Sequence, residues 1–219
     1  MLAGGLAIML AAMDALRVAR INPVGGALRL GVMVDMLGRR DARDVRITTI
    51  EQFAERYRVD AAHAKRVAKT ARALYALAVA KPLPESLQRV EWAGMLHEIG
   101  HTVSHQGFHK HGAYILNNAD MPGFSAHEQR MLAVLVMACR GGLAKAAAIL
   151  ADADLRAQVL ALRLAVLLHH ARRPIDIPRI GLRMRETVGR RIAHGWLARH
   201  PLTSHLLERE RAELTALGY

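Results

Sequence analysis

Residues 93–118 read Ala93-Gly94-Met95-Leu96-His97-Glu98-Ile99-Gly100-His101-Thr102-Val103-Ser104-His105-Gln106-Gly107-Phe108-His109-Lys110-His111-Gly112-Ala113-Tyr114-Ile115-Leu116-Asn117-Asn118. This stretch joins two helical patterns across a break. Upstream, a helix that opens at Pro84 carries Trp92, Met95 and Leu96 into the segment. Downstream, His111 to Asn117 resumes helix. Gly100 and Gly107 interrupt, so the spacing 97, 101, 105, 109 is not one continuous helical stripe. Five of the chain's twelve histidines fall between His97 and His111, and Glu98 sits beside the first of them. Imidazoles and a carboxylate packed this closely can hold a metal or grip a phosphate, and the rest of the sequence bears on which of these they do or whether they do neither.

Working outward, the pattern stays helical. Thr48-Thr49-Ile50-Glu51 reads as a capping box for a helix to Tyr57. Asp60 caps the next helix, which runs to Val79 and stops before Pro82 and Pro84. Ser125-Ala126-His127-Glu128 is a second capping box, opening a helix to Cys139 that Gly141-Gly142 ends. Residues 154–170 form a strongly apolar helix closing on His169-His170. After Pro174 the texture changes: Ile180, Leu182 and Met184 alternate, and Thr187 to Ile192 offers a second strand. Residues 172–196 are therefore expected to form a small ribbon, with a helix over 201–217. At the other end, Gly4 to Ala19 reads as an apolar helix with almost no polar face, expected to be buried. Ala27 to Leu37 reads as a second helix, and residues 38–44 as a charged, exposed linker. The fold class is mainly α with a small α+β ribbon near the C-terminus. The expected divisions are 1–46, 47–171 and 172–219.

Composition agrees. Hydrophobic residues make up 52% and aromatics only 4% of 219 residues, so Ala and Leu supply the apolar content and favour packed helices over a β-sandwich. Thirty-one Lys+Arg against nineteen Asp+Glu leave +12, which calls for a polyanionic partner: nucleic acid, anionic lipid or a phosphate polymer. Few aromatics lie among the basic residues, which argues against nucleic acid bound by stacking. No run reaches the roughly 18 apolar residues of a membrane span, so no membrane role is expected. The apolar N-terminus lacks a basic leader, so no signal peptide is expected either. Cys139 stands alone, which excludes an internal disulfide and a cysteine-based zinc site and fits a reducing cytoplasm. No Walker loop, dinucleotide fingerprint or nucleophile elbow occurs.

Three constellations could carry chemistry. His97-Glu98 at a helix end resembles the His-Asp pair of HD-type phosphohydrolases, in which adjacent residues turn two ligands toward one metal. That metal activates a water for attack on phosphorus. His63 fits the upstream ligand position of such a site. Downstream, His169 stands where an Asp would be expected. The set His63, His97, Glu98 and His169 is thus either a metal site or the polar centre of a degenerate scaffold, held by hydrogen bonds. The second constellation is His105, His109, Lys110 and His111, which with Lys65, Lys69, Arg72, Arg140 and Lys145 could line a positive groove. The third is an arginine run of Arg172, Arg173, Arg179, Arg183, Arg185, Arg190, Arg191 and Arg199, suited equally to phosphate binding and to plain solubility.

The segment Met95 to Gly100 and then His109 to Phe124 resembles the C-terminal part of the exopolyphosphatase / guanosine pentaphosphate phosphohydrolase family. The likeness continues through Glu128-Gln129 and Leu132 to Val136. Upstream, Ala3 to Ile8 and Gly26 to Val32 look like the last helices of that family's actin-like (ribonuclease H-like) module. Thr49-Ile50 and Arg56 to Asp60 look like the entry into its HD-like helical domain. The resemblance implies an HD-like helical domain, a small C-terminal α+β domain and a remnant of the actin-like domain before them. It implies that the complete enzymes cut terminal phosphate from inorganic polyphosphate or guanosine pentaphosphate with Mg2+, using actin-like domains largely missing from this sequence. This chain would then hold no catalytic residue, bind no cofactor of its own, and be inactive alone. Its role would be to bind the phosphate polymer and support a homodimer in the cytoplasm. The resemblance marks His97, His109, Lys110, His111, Arg140 and Lys145 as the anion contacts. Two departures stand out: Leu30 where the family has Glu, and Ala138-Cys139-Arg140-Gly141 where it has a more basic stretch. An autonomous HD-type metal phosphohydrolase and a regulatory interaction module on a vestigial scaffold are the alternatives.

Overall fold

Short polar side chains that catch a free backbone amide set four of the helix starts among the described residues. A computed structural model describes residues 2–20, 44–143, 147–174, 181–184, 188–191 and 194–219. The contacts divide the chain into two compact units, Met1–Arg43 and Asp44–Tyr219. In the first unit, α1 spans Leu2–Ala15. It stops short of the expected Ala19, with Arg17 in the left-handed region at φ 52° and its amide bonded to the Asp14 carbonyl. Leu6, Ile8, Met9 and Leu10 are exposed, so the burial expected of this helix is not found among the described residues. The expected helix over 27–37 and the linker from residue 38 to Arg43 lie outside the described residues.

The second unit opens on Asp44. Its side chain accepts from the Arg46 amide at 3.0 Å and starts α2, Val45–Arg56. The helix therefore begins earlier than the Thr48 capping box predicts. Asp44, expected in an exposed linker, is buried against the Arg46 guanidinium at 2.7 Å. Thr49, within the helix, donates to the Pro122 carbonyl at 2.8 Å. Asp60 caps α3, Ala61–Ala78, and Pro84 opens α4, Pro84–Leu96. A short 3-10 turn covers Ile99–Thr102 before α5, Phe108–Asn118. Ser125 and Glu128 form the reciprocal capping box of α6, Ala126–Ala138. The short α7, Ala147–Leu150, leads to α8, Ala153–Leu168, capped by Asp152.

The centre of this unit is α8. Every residue from Ala157 to Ala165 is buried, the mark of a helix enclosed on all sides. It packs against α3, α4, α6 and α7. Val67, Leu74 and Tyr75 of α3, Val90 and Leu96 of α4, Leu132 and Leu135 of α6, and Leu160 and Leu162 of α8 form one continuous core. Strands β1, Gly181–Met184, and β2, Val188–Arg191, pair antiparallel with Leu182 opposite Arg190. Helices α9, His194–Ala198, and α10, Pro201–Ala216, follow. Leu207 and Leu214 of α10 are buried, and α10 packs on α8. The expected divide at residue 172 thus falls inside the second unit.

Candidate functional site

Helix α4 ends at Leu96 and hands the chain to His97 and Glu98. The following 3-10 turn lies hard against α5: a Cβ on Gly100 would come within 1.9 Å of the Phe108 carbonyl oxygen and 2.5 Å of the Gly112 amide. Only glycine permits that approach, two residues after Glu98. The His97 ring is 1% exposed, and its Nδ1 lies 2.7 Å from the Gly94 carbonyl oxygen. A carbonyl only accepts, so Nδ1 carries the proton and Nε2 keeps a lone pair. Glu98 Oε1 is the meeting point. It lies 3.7 Å from His63 Nε2, 3.9 Å from His97 Nε2 and 3.7 Å from His101 Nε2. One ligand atom each from His63, His97 and Glu98 falls within 4.8 Å of the others, a spacing that suits a metal ion. Arg172 closes the arrangement. Its Nη1 donates to Glu98 Oε1 at 2.7 Å and its Nη2 to Asp60 Oδ2 at 3.3 Å.

Burial dominates the electrostatics. It pushes His97 down to about 4, so this ring is neutral near pH 7. Burial lowers His63 and His101 as well, only partly offset by Glu98. Burial alone would raise the Glu98 carboxyl, but the neighbouring His97 ring and the Arg172 guanidinium outweigh it and hold the group below its usual value. The centre is a carboxylate among neutral imidazoles, balanced by one arginine.

Beside it opens a cavity of about 1160 Å³. Its cationic lining is Arg58, Arg140, Arg163, Arg172 and Arg209, and its acidic lining is Asp60, Glu98, Glu210 and Glu213. Arg163 is bound to Glu210, and Arg172 to Glu98 and Asp60. Arg58, Arg140 and Arg209 make no ion pair among the described residues, so they leave the cavity positive. Arg140 also lies over the Phe108 ring at 5.9 Å, and His101 stacks on the same ring at 4.2 Å.

The residues singled out from sequence fall into distinct places. His63, His97 and Glu98 converge. His169 does not join their cluster; it is buried, with Nε2 2.8 Å from the Thr70 hydroxyl. Its neighbour His170 lines the cavity and reaches the Thr203 hydroxyl at 3.0 Å. Of the expected anion contacts, His109 and Arg140 line the cavity, while Lys110 and His111 do not. His97 borders it only as a buried neutral ring, so it adds no charge there. His109 is likewise held neutral, lowered by burial and by the nearby Lys110 and Arg140 charges. Lys145, Arg179 and Arg185 lie outside the described residues. Arg72 pairs with Glu91 at 2.9 Å, and neither it nor Lys65 or Lys69 lines the cavity. Sequence reasoning missed Arg58, Arg163 and Arg209. Arg163 carried a signal, as the one charge in the apolar run from Ala157 to Leu168; the other two carried none.

Fold and site together define a mainly helical domain with a histidine–carboxylate centre beside a basic cavity. A family model described as Ppx/GppA phosphatase, domain III, matches residues 45–211, and the chain belongs to that family. It is similar to the guanosine-5'-triphosphate,3'-diphosphate pyrophosphatase of Pseudoalteromonas translucida, at 32% identity over 98% of this chain and 45% of that protein. Proteins of the same description from Vibrio cholerae and Aeromonas hydrophila match at 33% and 32% identity, again over 98% of this chain. The chain spans less than half the length of these relatives and corresponds to their C-terminal region. Among the described residues, no helix is long and apolar enough to cross a membrane.

Proposed function

We propose that residues 44–219 form the anion-binding region of a phosphatase acting on guanosine pentaphosphate or inorganic polyphosphate. In that arrangement Mg2+ and the bond-breaking groups belong to a separate catalytic module, and this region contributes to a homodimer. The observation that carries the proposal is the cavity in which Arg58, Arg140 and Arg209 stand without a carboxylate partner among the described residues. A guanidinium offers paired donors that match phosphate oxygens, and a chain of phosphates can engage several such forks at once. His105 and the neutral His109 add ring nitrogens on the same lining. The relatives' description names a guanosine polyphosphate as their substrate, which is the ligand class this cavity suits.

Binding of long-chain polyphosphate and of guanosine pentaphosphate to the full chain, followed by calorimetry, tests the proposal. Binding at low salt is expected, weakening steeply as salt rises because the polymer releases its counterions. Arg140→Ala and Arg209→Ala should each cost about 1.5–3 kcal/mol of binding, the value of a charge-assisted hydrogen bond. Neither should disturb the fold, since both side chains are exposed. Absence of binding at low salt, or an affinity indifferent to salt and to both variants, contradicts the proposal.

A further inference from the structure

We propose that His63, His97 and Glu98 form a binding site for a divalent first-row transition-metal ion, and that Arg172 is the internal cation that competes with it. The inference goes beyond the anion-binding role and does not depend on it. Four observations carry it. The three candidate ligand atoms already lie within 4.8 Å of one another. The His97 tautomer is fixed by its Nδ1 bond to the Gly94 carbonyl, which leaves Nε2 as a lone pair on the side of Glu98. Metal-bound histidines are oriented in this same way, through the nitrogen that does not bind the ion. His63 is 3% exposed, and its buried Nδ1 has no hydrogen-bond partner. Its other nitrogen, Nε2, faces Glu98 Oε1 at 3.7 Å. Two imidazoles with one carboxylate suit zinc, manganese or iron better than magnesium or calcium, which prefer oxygen ligands alone.

Arg172 occupies the position such an ion would contest. It donates to Glu98 Oε1, the oxygen that also faces all three imidazoles. Its side chain is 48% exposed, whereas that of Glu98 is 12% exposed. The arginine can therefore leave toward solvent while the carboxylate stays. Its backbone is fixed independently. The Arg172 amide donates to the His169 carbonyl at 2.9 Å, and Arg66 donates to the Arg172 carbonyl at 2.7 Å. Moving the guanidinium thus requires no backbone rearrangement. One positive charge is exchanged for another at a single carboxylate.

The test is titration of the full, untagged chain with Zn2+ and with Mn2+, reading stoichiometry and affinity by calorimetry. Wild type should take up one ion weakly or not at all. Arg172→Ala should bind one ion per chain, roughly tenfold or more tighter than wild type, as expected when a direct competitor is removed. Glu98→Gln keeps the shape of the side chain and should abolish uptake, both alone and combined with Arg172→Ala. Circular dichroism of each variant confirms that folding is retained. Equal affinity in wild type and Arg172→Ala overturns the competition. Undiminished binding in the double variant overturns the site and assigns the ion to other histidines.

Discussion

Two arginine–carboxylate pairs line the same cavity, and they are built for opposite purposes. Arg163 and Glu210 are 7% and 8% exposed, and they join α8 to α10. The Arg163 Nη1 also donates to the Ala138 and Gly141 carbonyls, at 2.9 and 3.0 Å. Four of the five N–H donors of that guanidinium are bonded within the protein. Arg172 and Glu98 are 48% and 12% exposed, and among the described residues the guanidinium bonds only Glu98 and Asp60. The same chemistry is a structural joint where water is excluded and a movable counter-ion where it is not. Burial decides the difference, because it sets the cost of leaving either charge alone.

The largest effect should come from breaking the enclosed pair. Arg163→Ala leaves Glu210 buried without its cation and frees two carbonyls at the end of α6. The expected loss is about 3–5 kcal/mol, read from urea denaturation. Arg163→Met should recover part of it, because the methionine refills the space even though the carboxylate remains unpaired. A loss below about 1 kcal/mol for the alanine variant would mean that α10 is not anchored through this contact.

The next effect is one of pH. Burial holds His97 and His169 neutral, each pushed down to about 4 from an ordinary 6.5. In the unfolded chain these rings take up protons first as pH falls. Their contribution is therefore complete above about pH 6.5 and is lost as the pH drops toward 4. Each such histidine can remove up to about 1.4 kcal/mol per pH unit across that window. Glu98 and Asp60, also held below their ordinary values, lose their contributions in the same direction at lower pH. Denaturation midpoints taken between pH 7.5 and 4.5 should fall steadily. His169→Gln, which keeps a partner for the Thr70 hydroxyl, should flatten the slope. A flat profile in the unaltered chain would show that these rings are solvated.

Much of the fold was legible because its determinants are local. The Asp60 cap, Pro84 at a first turn and the Ser125–Glu128 box each act within three or four residues, and each helix opens where they place it. The Thr48 box failed because Asp44 reached the free amides first and gained a buried guanidinium in doing so. The site was legible only in part. His97 and Glu98 are adjacent in sequence, but Arg172 meets Glu98 across 74 residues and Arg163 meets Glu210 across 47. No local pattern specifies such partners. Left-handed backbone at Arg58 and Arg172, at φ 50° and 57°, likewise has no signature in residue type. The apolar helix at Leu2–Ala15 shows the converse: its composition demands a covering surface that the described residues do not supply.

The smallest effect is the one that separates the two pairs most cleanly. If Arg172 were a structural joint, Arg172→Ala would cost as much as Arg163→Ala. Its exposed side chain instead predicts a loss of no more than about 1 kcal/mol in denaturation, the range of a solvated ion pair. Glu98 would not be stranded by the change, since His63 and His101 both stand 3.7 Å from its Oε1 and can take up a proton to balance it. The same substitution should accordingly raise the pH at which those imidazoles titrate, because it removes a nearby positive charge that now opposes their protonation. Histidine ring signals followed by NMR from pH 5 to 8 would register that upward shift. A loss of stability near that of Arg163→Ala, with no change in histidine titration, would make the two pairs equivalent and end the distinction between them.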